Sequence, residues 1–266
     1  MPIQSDFGRI GFSEDFNGYN ATASIADGTA GTRYNDLTFA ALGGQTELFF
    51  TVDESGGVVS ANGAGAAGNG MAFWGAPMVP SSNGTLRMEA RFKGTLATDL
   101  RVFVGWQETV AVAEPLNPFT LSGTALTTLD GGNTVGFYTD TSADTDDYRF
   151  HSSLDGTETT AAALSDALQG ETTLGALGVR ALATITADSW VIARVEIDVA
   201  GNAEGWIGAV GMANQNGLTR VARMKSGTLD VDALYHPILI LAAGSTGDPL
   251  LECDYIWAKG NRDWSA

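Results

Sequence analysis

Two carboxylates, Glu196 and Asp198, lie two residues apart in a run whose alternate positions, Val191, Ala193, Val195, Ile197 and Val199, are apolar. A strand of period 2 sends Glu196 and Asp198 to the same face, about 7 Å apart at Cα by the strand rise. Retaining hydrolysis of a glycosidic bond uses two carboxyl groups roughly 5–5.5 Å apart, and side chains on these positions have the reach to meet that spacing. A second acidic group, Asp140, Asp144, Asp146 and Asp147, forms the densest acidic loop in the chain. Oxygen-rich loops collect Ca²⁺ ligands, but this one lacks the placed Gly and the terminal Glu of an EF-hand, so a solvated turn is expected and no metal is assigned.

The remaining reactive side chains form no set. His151 and His236 have no His or Cys neighbour in sequence, and structural roles are expected for both. Cys253 is alone, which excludes an internal disulfide, and it falls among apolar residues where a thiol is buried and inert. Tyr255, Trp257 and Trp264 are large rings with polar tips, suited to stacking on a sugar or anchoring a protein partner. For Trp257, core packing is expected. The Gly-rich Gly63–Gly70 has no Lys-Ser/Thr ending and does not cradle phosphate. No catalytic residue and no cofactor site is assigned.

These residues must be positioned by strands. Leu86, Met88, Ala90 and Phe92 alternate with Arg87, Glu89, Arg91 and Lys93, and Leu100, Val102, Val104 and Trp106 follow after Gly94–Asp99. The pattern predicts an antiparallel pair joined by a hairpin-length connection. Val191–Val199 and Gly205–Val210, joined by Ala200-Gly201-Asn202, read as a second hairpin. Ile10–Phe16, Glu47–Val52, Thr134–Thr139, Tyr148–Leu154, His236–Ala243 and Leu250–Ala258 read as further strands, the last with Leu251, Cys253, Tyr255 and Trp257 on its apolar side. The Ala-rich Thr159–Leu168 is expected to form a short helix.

The 34 Gly and the 17% share of charged residues fit many short strands joined by tight turns. The expected fold is all-β, an antiparallel two-sheet jelly-roll sandwich of around a dozen strands. It is read as a single domain over 1–266, with long loops near 53–84, 109–133 and 155–188. A formal charge of −17 disfavours nucleic acid and anionic membranes as partners. The first residues show no secretory signal, and no apolar run approaches the roughly 20 residues of a membrane-spanning helix.

The succession Trp190–Val199, turn, Trp206–Val210, His236–Ala243 and the closing Glu252-Cys253-Asp254-Tyr255-Ile256-Trp257 run followed by Arg262 resembles the concanavalin A-like jelly roll. It is similar above all to the versions found in tailed-phage virion proteins. The resemblance implies either a lectin-like binding module or a structural protein on a capsid, tail or fibre. The Ala/Gly/Thr-rich composition looks like that of phage decoration (cement) proteins. They are made in the bacterial cytoplasm and coat a capsid as homo-oligomers, including trimers, with the major capsid protein as partner. A glycan is the alternative partner. Glu196-Ile197-Asp198-Val199 also resembles the first half of the catalytic strand of laminarinase-type glycoside hydrolases, but Ala200 and Gly201 stand where that pattern places its second Glu. A non-enzymatic protein is therefore expected.

Overall fold

Val191–Ile197 alternates buried and half-buried residues, whereas His236–Ala243 is buried along nearly its whole length. The first pattern suits a sheet with one face open to water and the second a sheet covered on both faces. The computed structural model contains one sheet of each kind. It describes residues 9–16, 32–34, 37–43, 48–51, 57–63, 65–96, 99–108, 119–122, 125–128, 132–141, 148–154, 157–163, 187–209, 218–224 and 229–261.

The described residues form eighteen strands and one short helix. In the first third lie β1 (Arg9–Glu14), β2 (Thr32–Tyr34), β3 (Leu37–Leu42), β4 (Leu48–Thr51), β5 (Val58–Asn62), β6 (Gly70–Gly75), α1 (Pro80–Asn83) and β7 (Leu86–Gly94). The middle holds β8 (Leu100–Gln107), β9 (Phe119–Ser122), β10 (Ala125–Thr128), β11 (Thr134–Asp140), β12 (Arg149–Leu154) and β13 (Thr157–Ala163). The last third holds β14 (Val191–Ile197), β15 (Ala203–Ala209), β16 (Thr219–Met224), β17 (His236–Ala243) and β18 (Leu250–Asn261).

Sheet A runs β16-β15-β14-β7-β18-β5-β4, with β1 also paired to β18; sheet B runs β13-β12-β11-β8-β17-β6-β3-β2. Every pairing is antiparallel. This is the all-β, antiparallel two-sheet jelly-roll sandwich expected from the sequence. Between the sheets lies one core, filled from sheet A by Met88, Phe92, Val195 and Ile256 and from sheet B by Val104, Trp106, Phe137 and Leu239. Trp106 spans it, its indole Nε1–H donating to the Val195 carbonyl oxygen at 3.2 Å. Gly205 sits where a Cβ would meet the Phe137 and Phe150 rings at 2.6–2.7 Å, so the ring pair occupies the space a side chain there would need.

Several expectations are corrected. β7 and β8 are not a hairpin. β7 pairs with β14 and β18, β8 with β11 and β17, and Gly94–Asp99 carries the chain from one sheet to the other. Two alternating strands bury their apolar sides equally well by pairing edge to edge or by facing each other across a core, and alternation does not distinguish these. Thr157–Ala163 is a strand paired with β12, not the start of a helix, because pairing in the sheet overrides the weak helical preference of Ala; residues 164–168 lie outside the described ones. The long loops near 53–84, 109–133 and 155–188 contain β5, β6 and α1, the β9–β10 pair, and β13 respectively. β9, β10 and β13 are short and rich in Thr and Ala, and β5 and β6 carry apolar residues on both sides, so none shows a strong alternation.

The largest correction is in β18. Leu251 and Cys253 face the core as expected, but a β-bulge between Cys253 and Tyr255 inserts Asp254 as an extra residue. Beyond it Ile256 and Ala258 take the inward positions, and Tyr255 and Trp257 turn outward to half-buried positions. Their polar tips find partners there that the apolar core does not offer.

Candidate functional site

Sheet B has a second apolar cluster on its outer face, including Trp74, Phe103, Tyr138, Ile238 and Ile240, all buried. The outer face of sheet A is different. The outward positions of β7 carry Arg87, Glu89, Arg91 and Lys93, those of β14 carry Arg194 and Glu196, and those of β15 carry Glu204 and Trp206. Those of β18 past the bulge carry Tyr255, Trp257 and Lys259. Register aligns them into rows: Arg220, Trp206, Arg194, Glu89 and Trp257 cross five strands side by side. A neighbouring row reads Arg223, Glu204, Glu196, Arg87 and Lys259.

Glu89 is the centre of this face and is only 7% exposed. Its Oε1 accepts from the Tyr255 hydroxyl at 2.7 Å and from Trp257 Nε1–H at 3.2 Å. Its Oε2 accepts from Arg194 Nε at 2.7 Å and lies 2.6 Å from Arg194 Nη2. A buried carboxylate is tolerated only with such partners, so Glu89 fixes the ring of Tyr255, the ring of Trp257 and the Arg194 guanidinium together. Burial and the Glu89 charge push the Tyr255 hydroxyl well above the usual phenol range, keeping it a donor.

Cations lie over the rings: Arg194 and Lys259 at 5.6 and 4.9 Å from the Trp257 centroid, Arg91 and Lys93 at 4.7 and 4.9 Å from that of Trp190, and Arg220 at 6.0 Å from Trp206. Most are also ion-paired, Arg91 to Asp254 at the bulge, Arg220 to Glu204, and Lys93 to Glu252 and Asp188. Burial alone lowers the Lys93 pKa, but its bonds to Glu252 and Asp188 outweigh that and hold it above the ordinary value. Seven of the chain's fourteen Lys and Arg are on this face, where their charge is nearly balanced, although the chain as a whole carries −17.

The carboxylates singled out from sequence are committed elsewhere. Glu196 does face outward on β14, but it is ion-paired with Arg87 at 3.0 Å. Asp198 has left the strand and caps the β14–β15 turn. Its Oδ1 accepts from the Ala200 and Asn202 N–H groups, both at 2.9 Å, and its Oδ2 from Asn202 Nδ2 at 2.7 Å, while Gly201 takes φ +74°. A carboxylate holding three turn donors is not placed to act as a nucleophile.

Asp140 is buried against Arg101, with Nη2 at 2.7 Å; Asp144, Asp146 and Asp147 lie outside the described residues, as do Arg262 and Trp264. His151 is fully buried on the outer side of sheet B, where burial and the nearby Arg149 charge lower its pKa to about 3. His236 Nδ1 is 3.0 Å from the Gly75 carbonyl oxygen. Cys253 is buried and its thiol pKa is raised, first by burial and then by Asp254. Residues 63–69 connect β5 to β6, with Gly63 N–H donating to the Pro249 carbonyl oxygen. The sequence reading missed Glu89, Trp190, Arg194 and Trp206. Their signal was present as large or charged residues at the polar positions of alternating strands.

No protein-family model matches the sequence, and no curated protein matches it. The fold is similar to that of a protein of unknown function from Shewanella oneidensis MR-1, at a TM-score of 0.52 and 11% identity, covering 97% of this chain and 89% of that one. Fainter likenesses, at 10% and 7% identity, include the CBM2 module of the evolved Dit of Lactobacillus casei BL23 phage J-1 and the winged bean acidic lectin. The first has a TM-score of 0.49 with 96% of both chains covered; the second has 0.48 with 95% of this chain and 98% of that one. The chain is an all-β protein with an antiparallel two-sheet jelly-roll fold.

Proposed function

We propose that this protein is a non-enzymatic, lectin-like recognition module that holds a glycan on the outer face of sheet A. The observation that carries the reading is the bulge at Asp254, which turns Tyr255 and Trp257 out of the core and fastens both to the buried Glu89. Bulges re-aim side chains at working surfaces. Two large rings outside the core, held rigid by one carboxylate and flanked by Arg194, combine stacking surface with directional hydrogen-bonding groups. That combination recognises a polyhydroxylated ring at low ordering cost.

A second reading has the same face dock on a major capsid protein, making the chain a decoration protein of a phage virion. The observation favouring it is the face's composition, since Trp, Tyr and Arg are the residues that anchor protein interfaces. The two readings separate in one comparison. Binding to a glycan library and to purified capsids is measured for the native protein and for Trp257→Ala, with circular dichroism confirming the fold. Saturable glycan binding lost in Trp257→Ala supports the lectin-like reading. Capsid association lost in the same variant, with no glycan bound by either, overturns it in favour of decoration.

A further inference from the structure

We infer that the glycan held on this face is acidic, with a sugar ring against Trp257 and its carboxylate or sulfate group between Lys259 and Arg87; the inference rests on the lectin-like reading above. The register places Lys259 directly opposite Arg87 on neighbouring strands. Like charges in that relation repel, and strand pairs ordinarily avoid them. The neighbouring cations of the face each have a carboxylate of their own, Arg91 with Asp254, Lys93 with Glu252, Arg194 with Glu89 and Arg220 with Glu204. Lys259 differs: among the described residues no carboxylate lies within ion-pair distance of its ammonium, and its nearest charged neighbour across the strand is another cation. Arg87 shares Glu196 but keeps 44% of its side chain exposed, so its guanidinium is open to a ligand. The pair therefore presents excess positive charge at one point of a face that is otherwise balanced.

The geometry fits a sugar acid. Trp257 and Lys259 project from the same side of β18, and the Lys259 ammonium lies 4.9 Å from the centre of the indole ring, within reach of a charged substituent on a sugar seated against Trp257. Beside them β1 approaches closely. A Cβ on Gly11 would lie 2.7 Å from the Ala258 carbonyl oxygen and 3.0 Å from Lys259 Cβ, so a glycine at this position leaves the Lys259 stem unobstructed. An anion seated between Lys259 and Arg87 would relieve their repulsion and gain charge-assisted hydrogen bonds from both.

The test is calorimetric titration with two matched pairs of probes. Polygalacturonate against fully methyl-esterified pectin varies a carboxylate, and carrageenan against agarose varies a sulfate. We expect one acidic member to bind about tenfold more tightly than its neutral match, the extra affinity fading as salt rises. Lys259→Gln should abolish the roughly tenfold preference, so that the acidic and neutral members of a pair bind alike, and Lys259→Arg should restore it. Preference within the pectin pair identifies a carboxylate and within the galactan pair a sulfate. Equal binding of acidic and neutral probes, untouched by Lys259→Gln, overturns the inference and leaves the lectin-like reading standing. Failure to bind any glycan, with the fold intact, overturns both.

Discussion

Replacing Ile256 by Ala should destabilise the protein more than replacing Trp257 by Ala, although the indole is far the larger side chain. Ile256 is fully buried between the sheets, next to Ala90 across the strand pair. Truncation there removes three carbons from a packed core and leaves a cavity, at a cost of about 3–4 kcal/mol. Trp257 faces outward. Its truncation removes one hydrogen bond to Glu89, which keeps Tyr255 and Arg194, and it removes the ring beneath Arg194 and Lys259. A single bond to a carboxylate and two partly solvated cation–π contacts amount to about 1–2 kcal/mol. Urea denaturation at neutral pH, followed by circular dichroism and fluorescence with m-values compared, measures both costs, and Leu251→Ala serves as an inward-facing control on the near side of the bulge. A Trp257→Ala cost that exceeds that of Ile256→Ala by more than about 1 kcal/mol would place the indole in the core. It would remove the bulge, the platform and the functional argument built on them.

Deleting Asp254 should be tolerated, because the bulge residue can leave while Tyr255 stays opposite Arg91 and both faces of β18 keep their side chains. Only the part-exposed pair with Arg91 is lost, about 1–2 kcal/mol by chemical denaturation, and a deletion variant that fails to fold would contradict the bulge. His151 should make stability fall with acidification. Its folded value of about 3 lies below its ordinary 6.5, so between those values the unfolded chain takes up a proton that the native protein does not. Between pH 7.5 and 4.5 that amounts to about 2–3 kcal/mol, and urea titrations of His151→Gln should lack this part of the slope. Asp198→Ala should cost about 1–2 kcal/mol through its three turn bonds, and Glu196→Gln under about 1 kcal/mol because its pair with Arg87 is half-exposed. Thermal melts of the two variants rank them, and the reverse order would show that the turn does not depend on Asp198.

The sequence by itself determined the fold class, the two-sided character of β7 and β14, the β14–β15 hairpin and the burial of Cys253. Each depends on local periodicity or turn chemistry, and local rules act whatever the rest of the chain does. Alternation says that a strand has an apolar side, so Leu86, Met88, Ala90 and Phe92 were readable as core. Which neighbour each strand would pair with was not readable, since β7 and β8 can satisfy the same pattern within one sheet or across two. The face of sheet A was lost to the sequence for a related reason. In β18, Tyr255 and Trp257 continue one apolar register and Ile256 and Ala258 continue the other, and a single extra residue at Asp254 decides between them. That choice belongs to the tertiary structure. The indole and phenol needed a partner for their polar tips, and Glu89, 166 residues from Tyr255 in the chain, becomes that partner only when β7 and β18 lie side by side.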